Sequence, residues 1–79
     1  MNFTETGNRT YDTTDLTLAS FLRCRGFTIN NIRRQNGKTV IVFEDSSRLR
    51  DAVLEYGNDG CVSVRAFSNT LRDLKAITR

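Results

Sequence analysis

The chain of 79 residues contains no histidine and only two cysteines, Cys24 and Cys61. Without histidine it lacks the commonest general base and the commonest metal ligand. A structural zinc site needs about four ligands at characteristic spacings, which two isolated cysteines do not supply. We therefore expect no metal and no cofactor, and we interpret both cysteines as small buried residues of a reducing compartment.

Glycine-rich motifs and acidic pairs are equally scarce. None of the five glycines lies in a phosphate-binding motif. The only adjacent acidic pair, Glu44-Asp45, precedes a predicted helix, where carboxylates cap the first turn and offset the helix dipole. Catalysis is therefore not indicated, and we expect a binding or structural protein rather than an enzyme.

Long apolar runs are absent as well, and the first twenty residues are polar and of mixed charge. Neither a membrane span nor a signal peptide is indicated, so we expect a cytoplasmic protein with no membrane partner. The length predicts one domain with a small core, which a partner or self-association could support. A homodimer is one such arrangement.

Arginine, in contrast, is abundant. Twelve basic residues against nine acidic ones give a net charge of +3, and ten of the twelve are arginine. The planar guanidinium binds phosphates and carboxylates through paired hydrogen bonds. This composition favours anionic partners.

Local signals divide the chain into a flexible or loosely docked arm, residues 1–12, and a single domain, residues 13–79. Thr13 and Thr14 are the predicted N-caps of a first helix. That helix continues up to Gly26, where a left-handed residue is the usual end of a helix.

The dipeptide Asn36-Gly37 predicts a tight two-residue hairpin turn, because both positions accept positive φ. The resulting register places Ile32 opposite Ile41. The two faces of the hairpin then hold different apolar sets: Ile32, Ile41 and Phe43 on one, and Ile29, Val40 and Val42 on the other.

Two further helices follow the hairpin. The first has an amphipathic stripe at i, i+3, i+4 and i+7: Leu49, Ala52, Val53 and Tyr56. Cys61 and Val62 could pair briefly as a third strand. Ser63 then caps the last helix, whose predicted buried stripe is Val64, Phe67, Leu71, Leu74 and Ile77. The order helix, β-hairpin, helix, short strand, helix predicts an α+β domain of two layers.

The last helix carries the strongest binding signal. At about 100° per residue, one narrow face collects four cations beside the buried stripe: Arg65, Arg72, Lys75 and Arg79. A row of cations matches the spacing of phosphates along a nucleic-acid groove. A solvated polar face is the alternative, and the helix dipole explains Lys75 and Arg79 but not Arg65 and Arg72.

Cations also stand at the hairpin turn and at the start of the second helix. Arg33, Arg34 and Lys38 flank the turn, where they either protect strand edges or form a basic β-ribbon tip. Arg48 and Arg50 lie in the first turn of the second helix, where they either pair with nearby acids or form an anion site.

The apolar set Ile29, Val40 and Val42 is the candidate protein interface. It is either covered by the last helix or left exposed as a patch. A sheet of two or three strands also has edges that a second copy or a partner strand can extend.

The segments "TTDLTLASFLRCRGF", "GKTVIVFED" and "SSRLRDAVLEY", followed by "LRDLK", resemble a family of small uncharacterised prokaryotic and phage domains that is catalogued only as a domain of unknown function. The resemblance covers residues 13 to about 77. Its hallmarks are core and capping residues, so it implies a fold and a phage or mobile-element origin but no activity. Relatives tend to carry acids where this chain has Arg48 and Arg50. The hallmarks read Asp15-Leu16, Gly26-Phe27 and Phe43-Glu44-Asp45.

These patterns together favour a small non-enzymatic binding protein. The favoured partner is nucleic acid, whose phosphates the last helix contacts with help from the hairpin turn. The alternative is a phage-encoded inhibitor or adaptor that docks a host protein, such as a defence-system or polymerase component, through the hairpin sheet face or edge. In that case the protein acts in the cytoplasm of the host cell.

Overall fold

The computed structural model describes residues 9–78. Three helices pack on one face of a three-stranded antiparallel sheet with the strand order β1-β3-β2. This arrangement confirms the predicted α+β class. The elements in chain order are β1 (Thr10–Thr13), α1 (Leu16–Cys24), β2 (Ile29–Gln35), β3 (Lys38–Glu44), α2 (Ser47–Gly57) and α3 (Val64–Thr78).

The third strand comes from the beginning of the chain. Residues 10–13 form β1 and pair with β3, from Thr10 opposite Glu44 to Thr13 opposite Ile41. This differs from the prediction of an arm through residue 12, because β1 is too short to show an alternating pattern and forms against the free edge of β3. The prediction of a short strand at Cys61 and Val62 is wrong, since residues 61–63 have no regular structure. The rest of the predicted arm, residues 1–8, lies outside the described residues.

The ends of α1 are fixed by local hydrogen bonds. Its N-cap is Asp15, not Thr13 or Thr14, and Asp15 Oδ1 accepts from the backbone N–H groups of Thr17 at 3.0 Å and Leu18 at 3.2 Å. Thr13 instead belongs to β1 and accepts from the Asp15 N–H. The predicted C-terminal motif is confirmed: Gly26 has φ +96°, and the two characteristic return bonds run from Gly26 N to Arg23 O and from Phe27 N to Leu22 O.

The hairpin turn and its register agree with the prediction. Asn36 and Gly37 both have positive φ, and every predicted pair from Gln35–Lys38 to Asn31–Val42 is present. A bulge between Ile29 and Asn31 then shifts the register. One extra residue moves a side chain to the other face, so the prediction that Ile29 shares a face with the valines of β3 is wrong.

Both later helices begin at serine caps, and the cap of α3 is the predicted Ser63. Ser46 Oγ accepts from the Leu49 N–H, and Ser63 Oγ accepts from the Ala66 N–H. The predicted buried stripe of α3 is wrong at its ends, because Val64 is 80% exposed and Ile77 is 64% exposed. α3 packs chiefly against α1, so only the middle of its stripe is covered.

The core is built around α1. Five consecutive residues of this helix, 18–22, are buried, and they meet side chains from β3, α2 and α3. Among the five is Ser20, whose hydroxyl donates to the Leu16 carbonyl at 2.8 Å and is therefore satisfied. The side chains that complete this core are Ile41, Phe43, Leu49, Ala52 and Leu74.

Removal of the Asp15 cap gives the first test. We expect Asp15→Ala to lower the free energy of unfolding by about 0.5–2 kcal/mol at neutral pH, because two backbone donors lose their acceptor. Thr14→Ala, the matched control at the cap predicted from sequence, should stay within about 0.5 kcal/mol of the wild type. Chemical denaturation followed by circular dichroism measures both, and equal losses would contradict the assignment of the cap.

The cap also predicts a pH dependence. The hydroxyl of Thr17, followed by the backbone N–H groups of Leu18 and Thr17, lowers the pKa of Asp15. The carboxylate therefore stabilises the fold fully above its unfolded pKa of about 3.9, and that stabilisation is lost as the pH falls through the folded pKa. The gap in unfolding free energy between wild type and Asp15→Asn should shrink over this acidic range, whereas a constant gap would contradict the prediction.

Candidate nucleic-acid interface

Several arginines stabilise the fold by bridging elements. Arg25 pairs with Glu55 and places its guanidinium 4.8 Å from the centre of the Phe21 ring, which joins α1 to α2. Arg33 pairs with Asp12 at 2.7 Å and joins β2 to β1. These side chains have structural partners, and they are not free to bind an external anion without losing them.

The two arginines at the start of α2 also have internal partners. Arg50 donates to both carboxylate oxygens of Asp45, at 3.1 and 2.6 Å. This contact lowers the pKa of Asp45 and raises the pKa of Arg50. Arg48 lies 5.7 Å from the centre of the Phe27 ring. Pairing with a nearby acid is therefore the interpretation that the geometry favours for Arg50, whereas Arg48 is exposed and forms no ion pair within residues 9–78.

The cations of α3 behave differently. Arg65, Arg72 and Lys75 are exposed, and none of them forms an ion pair with any residue in the range 9–78. Arg65 and Lys75 are ten residues apart, which is about 15 Å along a helix. Arg79, the fourth predicted member, lies outside the described residues. Three of the four predicted cations thus share an open helical face.

The hairpin meets the C-terminal end of α3. The carbonyl of Thr78 accepts from the Thr39 hydroxyl at 3.0 Å and from Arg34 Nη1 at 3.5 Å. Lys38 and Thr78 line one shallow groove. Arg34 and Lys38 therefore lie at the same end of the molecule as Lys75, whereas Arg33 alternates to the other face of the sheet. The sequence predicted a basic turn but could not place it beside α3.

The predicted apolar patch on the sheet is not exposed. Val40 is 9% exposed and Val42 is 3% exposed, although both lie on the face away from the helices. Asp12 is opposite Val42 and Arg33 is opposite Val40, so the ion pair between Asp12 and Arg33 crosses this face over the central strand. Ile29 is on the helix side because of the bulge. Ile29, Val40 and Val42 therefore do not form one exposed surface, as the candidate protein interface would require.

Two features of the surface escaped the sequence analysis. One is the exposure of Cys61, a residue that was expected to be buried but lies exposed in the loop before α3. The other is a groove of about 410 Å³ between β2 and α3, which contains the exposed Ile77. In the sequence, this groove is indicated only by Ile77, the apolar residue at the end of the predicted α3 stripe. Cys24 and Cys61 are both free thiols.

Within residues 9–78, no helix has the length and apolar character needed to cross a bilayer. In the same range, no group of three cysteine, aspartate or glutamate side chains is placed to hold a metal ion.

Comparison with known proteins gives one match. The family model described as "Domain of unknown function (DUF5659)" matches residues 8–79, which include all six elements. Neither a curated protein nor a solved structure matches the chain. The resemblance to an uncharacterised family is thereby confirmed, and the function must be inferred from the surface.

The division between paired and unpaired cations can be tested through stability. We expect Arg25→Ala to lower the free energy of unfolding by about 1 kcal/mol, since it removes an ion pair and a cation–π contact. Arg72→Ala removes the same charge from an open helical face and should change the unfolding free energy by less than about 0.5 kcal/mol. Urea denaturation measures both variants. Equal losses would show that Arg72 has a structural partner after all.

Proposed function

The chain belongs to the DUF5659 family of domains of unknown function, and from that premise we propose that it is a small non-enzymatic nucleic-acid-binding accessory protein. In this proposal α3 binds phosphates through Arg65, Arg72 and Lys75, with Arg79 continuing the row. We propose that the protein acts in the cytoplasm. If a phage or a mobile element carries the gene, this is the cytoplasm of the host cell.

The observation that carries the proposal is that the three described cations of α3, which share one exposed face, all lack an ion pair within residues 9–78. Arg25, Arg33 and Arg50 each pair with a carboxylate elsewhere in the fold, yet the cations of α3 lie in the open. An unpaired cation row attracts anions at long range and repels like charges, so it favours a polyanionic partner. Phosphates at regular spacing along a nucleic acid are such a partner.

The shape of α3 supports the same partner. Ten of its fifteen residues are exposed, because the helix packs chiefly against α1 and leaves most of its surface in solvent. Its length is about 22 Å, and the major groove of duplex DNA is wide enough to admit a helix. Arg34 and Lys38 extend the positive surface beyond the C-terminal end of the helix. Contacts to phosphates without a base-reading motif favour binding that depends weakly on sequence.

The alternative partner, a host protein docked on the sheet, is supported in one form only. Burial of Val40 and Val42 speaks against docking on the sheet face. The edge of β2 remains available, because this strand is the last of the sheet on its side. An inhibitor or adaptor that captures a partner strand would use that edge.

A salt-dependent titration tests the nucleic-acid proposal. Fluorescence anisotropy of a labelled duplex of random sequence should show micromolar or tighter binding at about 50 mM salt and an affinity lower by orders of magnitude at about 200 mM salt. The double change Arg65→Ala with Arg72→Ala should weaken binding to all duplexes alike. It should also lower the slope of log affinity against log salt by about 2, because two phosphate contacts are lost.

Two matched controls locate the site. Arg48→Ala with Arg50→Ala removes the same net charge from α2 and should weaken binding much less than the α3 changes. Arg65→Lys with Arg72→Lys keeps the charge and should retain the salt slope. Absence of binding at low salt would overturn the proposed function, and equal losses from the α2 and α3 variants would overturn the assignment to α3.

A further inference from the structure

The free edge of β2 has a defined pattern of backbone groups. The two-residue turn closes on the pair Gln35–Lys38, and hydrogen-bonded and non-hydrogen-bonded pairs alternate from there. Arg34 and Ile32 therefore direct their backbone groups away from β3. No strand within residues 9–78 pairs with this edge. A row of outward donors and acceptors is a template for another strand.

An apolar groove runs beside this edge. It has a volume of about 410 Å³ and lies between β2 and α3, with Ile29 and Ile32 on the strand side and Leu74 and Ile77 on the helix side. Ile77 is 64% exposed. The fold thus leaves a large aliphatic side chain uncovered on the helix side of this groove.

One of the outward donors is satisfied within the chain. The Ile32 N–H donates to Oδ1 of Asn31 at 2.9 Å. This bond satisfies the Ile32 N–H in a single copy, so an incoming strand must offer Ile32 a replacement acceptor, while the exposed Asn31 amide returns to solvent.

We propose that the edge of β2 binds the β2 edge of a second copy of this chain, antiparallel and with the two-fold axis at Ile32. The two sheets then join into one of six strands, in the order β1-β3-β2-β2-β3-β1. This inference does not depend on nucleic-acid binding.

The charges of β2 select the register. With the axis at Ile32, Arg33 lies opposite the uncharged Asn31 of the second copy and keeps its ion pair with Asp12 over the central strand. In this register no arginine lies opposite an arginine. Shifting the register by two residues toward the turn places Arg33 opposite Arg33, and a further shift places Arg34 opposite Arg34. Like charges directly opposite are unfavourable, so the register centred on Ile32 is preferred.

Apolar contacts favour the same register. The two Ile32 side chains become direct neighbours on the helix side of the joined sheet, where each of them lines its own groove. The backbone groups of Ile32 exchange hydrogen bonds with their symmetry mates, which replaces the bond to Asn31. The bulge lies outside this centre, because residues 31–33 belong to the regular part of β2.

Disulfide trapping tests the interface and its register together. In a chain with Cys24→Ala and Cys61→Ser, the change Ile32→Cys places two thiols on the two-fold axis, with Cα atoms about 5.5 Å apart, which is within disulfide range. Mild oxidation should convert most of this variant to a covalent dimer. The matched control Arg34→Cys has a thiol on the same face of β2 but about 13 Å from its symmetry mate, and it should stay monomeric.

The unmodified chain provides the second measurement. Light scattering after gel filtration should give twice the monomer mass of 9.0 kDa for the wild type, falling toward one monomer on dilution. Ile32→Glu should be a folded monomer by circular dichroism, since Ile32 is only half-buried and the two glutamates would repel each other on the axis. A wild type that is monomeric at every concentration, or trapping that is equal at Ile32 and Arg34, would overturn the proposal. Either result leaves the nucleic-acid titration unaffected, so the two proposals fail separately.

Discussion

The rest of the structure depends on the enclosure of α1. Five successive buried residues, 18–22, span more than a full turn, so this helix needs neighbours on every side. The sheet covers one side through Ile41 and Phe43, and α2 and α3 cover the flanks. A chain of this size has too little apolar surface to do more. The outer surfaces of α2, α3 and the sheet edge are left to solvent, and these are the surfaces available for binding.

The arginines divide according to whether they form an ion pair within the fold. Arg25 and Arg33 reach across element boundaries to a carboxylate, and Arg50 reaches the acid at the end of the preceding strand. The cations of α3 project from the side of the helix opposite to α1, where the described chain offers no acid within reach. The described ion pairs therefore involve arginines at the end of α1, on β2 and on α2, whereas no described cation of α3 forms one, a distinction that net charge alone cannot show.

The two proposed surfaces lie on different sides of α3. At 100° per residue, Arg65, Arg72 and Lys75 fall within a quarter turn, whereas Asp73 and Ile77 beside the β2 groove fall on the other flank of the helix. A second copy on the β2 edge would leave the cations of both α3 helices in solvent. A dimer would then present two cation rows related by a two-fold axis, and bivalent contact raises affinity when both sites can be reached at once.

The sequence by itself determined most of the features that local geometry controls, although the N-cap of α1 is Asp15 and not the predicted Thr13 or Thr14. The Asn36-Gly37 turn set the hairpin register, Gly26 set the end of α1, and serine caps set the starts of α2 and α3. The exposed row on α3 followed from helical periodicity, though its partner did not. Tertiary structure alone decided the placement of β1, whose four residues pair only because β3 offers a free edge, and the face of Ile29, which a one-residue bulge reversed. It also decided the exposure of Val64 and Ile77, because burial depends on which neighbours an element finds, and periodicity describes only the element itself.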